Sequence, residues 1–267
     1  MGELSLAMIK DLDYNDPLWQ DLLNQLTWSE MNYLATYGYL FLAGAISVNA
    51  PGAKAQDGPL GIRAANERLG NTYMGFPSAI LMAGTWDTEL IEQFGIAFGH
   101  EIMHVDYDLI YATGVNIHRS PYDGRAAEYY SEDGYMSGVM SAAAIKGIRS
   151  KGVMVCVKHY ALNEQEKNRR AVSTFANEQS RREIYLKPFE IAVKEGGANA
   201  LMTSMNRIGA VWTGASRALC TDILKGEWGF NGTLVTDWVD TGHSDYMPAY
   251  KGIWAGNSTW LNNTDAQ

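Results

Sequence analysis

The sequence predicts an α/β fold, a parallel sheet or barrel whose strands alternate with helices. Three observations carry this. Short continuous apolar runs, clearest in Val153-Met154-Val155-Cys156-Val157 and again in Ala200-Leu201-Met202 and Thr233-Leu234-Val235, are separated by helical patterns. Strands without polar alternation are buried on both faces, the condition of a parallel sheet covered by helices. Polar residues collect where the runs end: Asp57, Arg119 and Arg125, Lys158 and His159, Asn206, and Asp237. In a parallel barrel those ends converge on one mouth. The 267 residues, 46% hydrophobic and 19% charged, suit one large α/β domain.

Taken in order, residues 10–37 are polar with a helical pattern. Leu22, Leu23 and Leu26 share a face, and Met31 and Leu34 follow a cap signal at Thr27 and Ser29. A Gly/Ala-rich apolar stretch runs to Val48, Asn49-Ala50-Pro51-Gly52 reads as a loop, and Asp57-Gly58-Pro59 is a turn by its chemistry. Residues 80–82 predict a strand, and Asp87 the N-cap of a helix to about Met103. A strand over 109–117 is expected to end in Asn116-Ile117-His118-Arg119 and to lead into a loop with Gly124, Arg125 and Glu128. The helix after it carries a Met/Ala face at Met136, Ala142 and Ala143. Strand 153–157 ends in Lys158-His159-Tyr160 and a polar loop over 163–170. The next helix, about 179–195, holds Pro188 in its middle, where a missing N–H should kink it, and Gly196-Gly197 end it. Strand 200–204 ends at Met205-Asn206-Arg207, and Ser216 caps a helix to about Lys225. Gly229 and Gly232 then bracket the turn into strand 233–235. No repeat of about 20–50 residues and no low-complexity tract interrupts this alternation.

A net charge of −9 argues against nucleic acid or an anionic membrane as partner, because phosphate binding needs a basic face. Cys156 and Cys220 are too few for a disulfide framework, and Cys156, inside an apolar run, reads as a buried free thiol. No apolar run reaches spanning length. The first nine residues are too short and too polar for a secretory signal, so a cytoplasmic location is expected. Sequons at Asn231, Asn257 and Asn262 match the glycosylation pattern but carry little without a leader.

The chemistry centres on Asp237. A carboxylate at the carboxyl end of a buried strand points into a barrel mouth, and Trp238 beside it offers a flat apolar wall for stacking on a sugar ring. The plainer alternative is that Asp237 caps the following segment. A carboxylate, several cations, a His and a Trp together suit a polyhydroxylated substrate, since each hydroxyl both donates and accepts. Singly, each group reads as a salt bridge or a loop anchor. Recurrence at successive strand ends favours a site.

Four motifs carry a family resemblance. Gln56-Asp57-Gly58-Pro59-Leu60-Gly61-Ile62-Arg63 is the first, and Gly124-Arg125-x-x-Glu128-x-x-Ser131-Glu132-Asp133 the second. Lys158-His159-Tyr160-x-x-Asn163-Glu164-Gln165-Glu166-x-x-x-Arg170 and Glu227-Trp228-Gly229-Phe230-x-Gly232-x-x-x-x-Asp237-Trp238 follow. In this order, over about residues 16–260, they resemble the family 3 glycoside hydrolases. The Asp-Gly-Pro loop sets the chain apart from xylosidase-like members. Lys158-His159 lacks the Pro-Gly-His loop of the N-acetylglucosaminidase branch, so the match is to the β-glucosidase branch.

The resemblance implies a (β/α)8 TIM-like barrel, incomplete or irregular, over residues 37–267 after a helical lead-in of residues 1–36, with its closing helix missing. It implies retaining release of non-reducing β-D-glucosyl units from a β-glucoside or oligosaccharide through a covalent glycosyl-Asp intermediate. By the same resemblance Asp237 matches the nucleophile, Asp57, Arg125, Lys158 and His159 the hydroxyl-binding groups, and Met202 and Trp238 the apolar walls. Glu128 and Arg170 look like loop supports. No metal or organic cofactor is implied. The proton donor in this branch usually belongs to an α/β sandwich domain, which nothing in these 267 residues resembles. Asp240 and Asp245, next after the nucleophile, match no acid/base motif, so a missing sandwich domain is the expected partner. Two positions depart from the pattern: Ser204-Met205-Asn206 stands where Ser-Tyr-Asn is usual, and Gly134, not Pro, follows Ser131-Glu132-Asp133. A thioether cannot donate a hydrogen bond to a carboxylate.

Two rival readings remain at this level. His100-Glu101-Ile102-Met103-His104 has the His-Glu-x-x-His pattern of zinc peptidases on an expected helix, with Glu128 as an available third ligand. A non-catalytic or degenerate sugar-binding barrel is the other.

Overall fold

The computed structural model describes residues 3–63, 73–170, 172–239 and 245–261. The chain opens with helices α1 (Leu6–Ile9), α2 (Leu18–Leu23) and α3 (Trp28–Thr36). Thr27 and Glu30 form a reciprocal capping box at the start of α3. The Glu30 carboxylate also accepts from Ser47 N–H and Oγ; these bonds to its charged form hold its pKa down at about 2. A hairpin-like β1 (Phe41–Leu42) and β2 (Ala53–Asp57) follow, then α4 (Ala79–Ala83), α5 (Thr88–His104), β3 (Leu109–Tyr111), α6 (Gly134–Arg149) and β4 (Met154–Tyr160). Then come β5 (Ser173–Thr174), α7 (Glu178–Ser180), α8 (Lys187–Lys194), β6 (Ala200–Thr203), β7 (Arg207–Ile208), β8 (Val211–Trp212), a π-helix over Ala218–Glu227, β9 (Thr233–Val235) and α9 (Ala249–Ala255).

The main sheet has the order β1-β2-β3-β4-β6-β9, parallel from β2 onward. Parallel bridges from Val235 to Thr259 and from Leu261 to Gly38 carry its edge round toward β1. Thr259 Oγ1 and Trp260 N–H donate to the carbonyls of Leu34 and Ala35 at the end of α3. The architecture is thus a TIM-like α/β barrel, incomplete and irregular, its wall completed by single bridges where a regular barrel has full strands. Among the described residues no helix is long and apolar enough to cross a membrane.

Strand register decides what each face meets. Ala55, Leu109, Cys156, Ala200 and Val235 form one buried cluster with Tyr111, Met202 and Leu261. Their alternates Ile110, Val155, Val157, Leu201 and Leu234 join the larger cluster under the helices, with Phe98, Ile145, Ile148 and Phe189. Both faces are therefore apolar, which is why these strands read as continuous hydrophobic runs. α5 and α6 pack so closely that a Cβ on Gly147 would sit 2.2 Å from the Glu92 carbonyl oxygen, so only glycine fits there.

Several local expectations change. Residues 80–82 lie in helix α4, whose N-cap Ser78 accepts from Leu81 N–H; a three-residue apolar run does not distinguish helix from strand. The strand expected over 109–117 is regular only to Tyr111, after which Lys158 N–H donates to the Thr113 carbonyl and Val115 N–H to the Lys158 carbonyl. Pro188 sits in the first turn of α8, where its missing N–H costs nothing, so it starts a helix instead of kinking one. A π-turn at Arg181–Tyr185 separates it from α7. β2 was not expected, because Lys54, Gln56 and Asp57 give it no apolar run. Asn257 is buried with its amide donating to the Gly214 and Gly252 carbonyls, whereas Asn231 is exposed and Asn262 lies outside the described residues.

Candidate functional site

The inner face of the sheet continues past its apolar cluster into a cavity of about 360 Å³. Strand parity brings the site together. Asp57 is two residues beyond Ala55, Lys158 two beyond Cys156, Met202 two beyond Ala200 and Asp237 two beyond Val235. Side chains two apart share a face. These side chains gather at the carboxyl ends of neighbouring parallel strands, and all four line the cavity; a register shift in β4 between Val157 and Tyr160 lets His159 line it beside Lys158. Arg125, His159 and Trp238 line it too.

Asp237 is 7% exposed. Its N–H donates to the Thr203 carbonyl at 3.0 Å, and its Oδ1 accepts from Trp238 N–H at 2.7 Å. The buried Oδ2 has no hydrogen-bond partner among the described residues. Burial raises the Asp237 pKa, and the pull of Arg169, Arg125, the Trp238 N–H and Lys158 offsets this only in part. A carboxylate so placed is costly to ionise, and its free oxygen is available to a ligand.

Opposite stands a chain of alternating charge. The Lys158 side chain, 3% exposed, pairs with Asp57 Oδ1 and lies 3.9 Å from Glu128 Oε2. Arg125 Nε donates to Glu128 Oε1, and Arg63 lies 3.8 Å from Asp57. For Asp57, burial pushes the pKa up, but Lys158, then Arg125 and Arg63, outweigh it and hold the group ionised below its usual range. Burial likewise works against the Arg125 charge, and the Glu128 and Asp237 carboxylates help to restore it. One Arg125 terminal nitrogen is buried without a partner among the described residues. Glu128 thus braces the two cations, as expected of a loop support. Arg170 is exposed; the neighbouring Arg169 lines the cavity instead and pairs with Glu166 at 3.3 Å.

His159 is buried and its pKa lies well below the ordinary value, from burial and then from the nearby Arg125, Lys158 and Arg169 charges. Its Nδ1 is 3.2 Å from the Tyr129 hydroxyl. Burial raises the Tyr129 pKa well above that of a free phenol, so the hydroxyl keeps its proton and donates. The neutral imidazole then carries its own proton on Nε2. Trp238 is 37% exposed, with its ring centroid 5.5 Å from that of Tyr39 at the cavity edge.

Some expected groups lie elsewhere. Asn206 is buried with its amide on the Ala161 carbonyl and Thr174 Oγ1, and Arg119 is exposed; neither lines the cavity. Met205 packs with Trp212, Val239, Met247 and Trp260. Asp245 is exposed and away from the cavity, and Asp240 falls outside the described residues. The zinc-peptidase pattern is a surface feature of α5. His100 and His104 are exposed, Glu101 Oε1 accepts from Met74 N–H at 2.5 Å, and among the described residues no three His, Cys, Asp or Glu group as metal ligands.

Sequence reasoning missed Tyr39, Gln56, Arg63, Tyr111 and Arg169 on the lining. Tyr111 was findable by parity, since it ends the run begun at Leu109. Arg169 was not, because nothing local separates it from Arg170.

The Asp237 electrostatics make a testable statement about stability. The pKa is raised in the folded state, so its contribution is complete below the unfolded carboxylate pKa, about 4, and is lost as pH rises through the folded value. Asn mimics the protonated form. Asp237→Asn should therefore raise Tm at pH 7 by on the order of a few °C, and the gain should vanish toward pH 4. A lowered Tm at pH 7 would show that the surrounding cations depend on the charge.

Residues 59–252 match the family model described as the glycosyl hydrolase family 3 N terminal domain. The chain is 40% identical over 222 residues to beta-glucosidase A of Butyrivibrio fibrisolvens, covering 83% of this chain and 26% of that protein. It is 38% identical over 220 residues to a beta-glucosidase of Rhizobium radiobacter, covering 82% and 27%. Among solved structures, beta-glucosidase 3B from Thermotoga neapolitana in complex with glucose superposes with a TM-score of 0.82 at 34% identity, over 91% of this chain and 36% of that one. A beta-glucosidase from Paenibacillus barengoltzii gives a TM-score of 0.88 at 31% identity, over 98% and 30%. The chain thus spans about a quarter to a third of the length of these relatives.

Proposed function

The chain belongs to glycosyl hydrolase family 3, and from this premise we propose that its barrel is the sugar-binding and nucleophile-bearing part of a retaining β-glucosidase. Asp237 is the nucleophile. Its oxygen attacks the anomeric carbon as the bond to the leaving oxygen breaks, giving a glycosyl-Asp ester and releasing the aglycone. A second carboxyl protonates the leaving oxygen, then takes a proton from the water that cleaves the ester. Asp57, Arg125, Lys158 and His159 bind hydroxyls of the non-reducing glucosyl unit, as ionised acceptor, forked donor, point cation and neutral Nε2–H donor. Met202 and Trp238 cover the apolar faces of the ring.

The observation that carries this reading is the buried Asp237 Oδ2, without a partner among the described residues, in a cavity whose other wall is the Arg63–Asp57–Lys158–Glu128–Arg125 charge chain. The cavity's carboxylates among the described residues are Asp57 and Asp237. Asp57 is held ionised by its cations and is a poor proton donor. We therefore assign the acid/base to a group outside the described residues, on an α/β sandwich domain.

The same shortage of a usable acid favours a second reading, a sugar-binding barrel without catalysis. The two separate in one assay. The isolated chain should accept a covalent label at Asp237 from an activated 2-fluoro-glucoside. It should turn over dinitrophenyl glucoside slowly, because that leaving group needs no proton, and cleave cellobiose negligibly. Reversible glucose binding without labelling would support the binder. Cellobiose hydrolysis at an ordinary enzymatic rate would place an acid within the chain.

A further inference from the structure

Asn116 lies beyond β3, fully buried, and its amide matches both polar groups of one peptide segment. Oδ1 accepts from His159 N–H at 2.8 Å, and Nδ2 donates to the His159 carbonyl at 3.0 Å. The same Nδ2 donates to Glu164 Oε1 at 3.2 Å. Glu164 comes from the loop after β4 and is 7% exposed, and it does not line the cavity. A side-chain amide is nearly symmetric in shape, so its two ends could exchange. The exchanged form would set NH₂ against the His159 N–H and oxygen against its carbonyl, and would face Glu164 with an oxygen. The two polar groups of His159 thus set the amide's direction, and Glu164 Oε1 takes its remaining N–H.

We propose that Asn116 and Glu164 are positioning residues for the Lys158–His159 pair: Asn116 pins the His159 main chain, and Glu164 braces the Asn116 amide through its second N–H. The inference rests on the glucoside reading, in which that pair binds sugar hydroxyls. Neither residue touches the sugar. With the main chain held by Asn116 and Nδ1 held by Tyr129, the imidazole has one orientation in which to present Nε2. Burial pushes the Glu164 pKa up to about 8, and Asp123 adds to the rise, while Asn116, the Ile117 N–H and Arg119 pull the other way. At neutral pH Glu164 is thus mainly a neutral acid, and Gln can replace it with its Oε1 acceptor intact.

Two measurements test this in parallel: hydrogen exchange of the His159 amide in the ligand-free chain, and D-glucose affinity by calorimetry. Asn116→Asp and Glu164→Leu should speed His159 exchange and weaken glucose binding by about tenfold each, the worth of a lost buried hydrogen bond. Glu164→Gln, which keeps the Oε1 acceptor for the Asn116 amide, should restore both to within about twofold of wild type. Unchanged exchange in Asn116→Asp and Glu164→Leu overturns the clamp. Faster exchange with unchanged glucose affinity overturns its role in sugar positioning. If wild type itself fails to bind glucose, the glucoside reading falls and the positioning role with it, while the exchange data still report whether the amide clamp exists.

Discussion

Asp237→Ala and Asp237→Asn should leave a folded chain that takes no label from an activated 2-fluoro-glucoside and turns over dinitrophenyl glucoside at least about 10⁴-fold more slowly. The size of the loss follows from the role. A covalent nucleophile has no substitute among the described cavity residues, because Asp57 is tied to Lys158 and Arg63. The Asn variant keeps the shape and the acceptor for Trp238 N–H but cannot attack, and it is the variant expected to gain stability at neutral pH. Lower activity with a higher Tm would separate a functional loss from an unfolded chain. A variant retaining more than about a hundredth of the wild-type rate would remove Asp237 from the role.

Lys158→Ala should produce the second-largest effect, in two parts. Its side chain is 3% exposed and serves Asp57 directly, with Glu128 close by, so truncation leaves a carboxylate without its main partner. Breaking a buried pair in this way costs about 3 kcal/mol of stability, moderated because the Asp57 side chain is 34% exposed. Glucoside efficiency should fall by about 100-fold or more, since hydroxyl contacts strengthen in the transition state. The double variant Lys158→Met with Asp57→Asn removes both charges and should recover most of the stability while leaving sugar affinity low. If the double variant binds glucose as wild type does, the pair is structural.

The hydrophobic alternation was legible because burial on both faces leaves uninterrupted runs, as in 153–157 and 200–203. Helix caps at Thr27 and Asp87 were legible because capping is chemistry among near neighbours. β2 was hidden by Lys54, Gln56 and Asp57. The helix at Ala79–Ala83 was hidden by a run too short to show a period. Pro188 was seen as a breaker, but its position depends on where the π-turn places the start of α8.

Local order along the chain therefore determined the α/β alternation, the strands that lead to Lys158, Met202 and Asp237, and through four motifs the family. Those are short-range properties: parity within a strand, capping, and spacing within a loop. Only the tertiary structure decided which polar groups share a cavity and which anchor the backbone elsewhere. It admitted Arg169 and left Arg170 exposed, sent Asn206 to the Ala161 carbonyl, and set His100 and His104 on an outer helix face. It also decided protonation. Asp57 and Asp237 are the same residue at like positions on their strands, but one is held ionised by Lys158 and the other is raised by burial. That difference comes from charges and solvent exclusion supplied by distant segments, which no local stretch of sequence encodes.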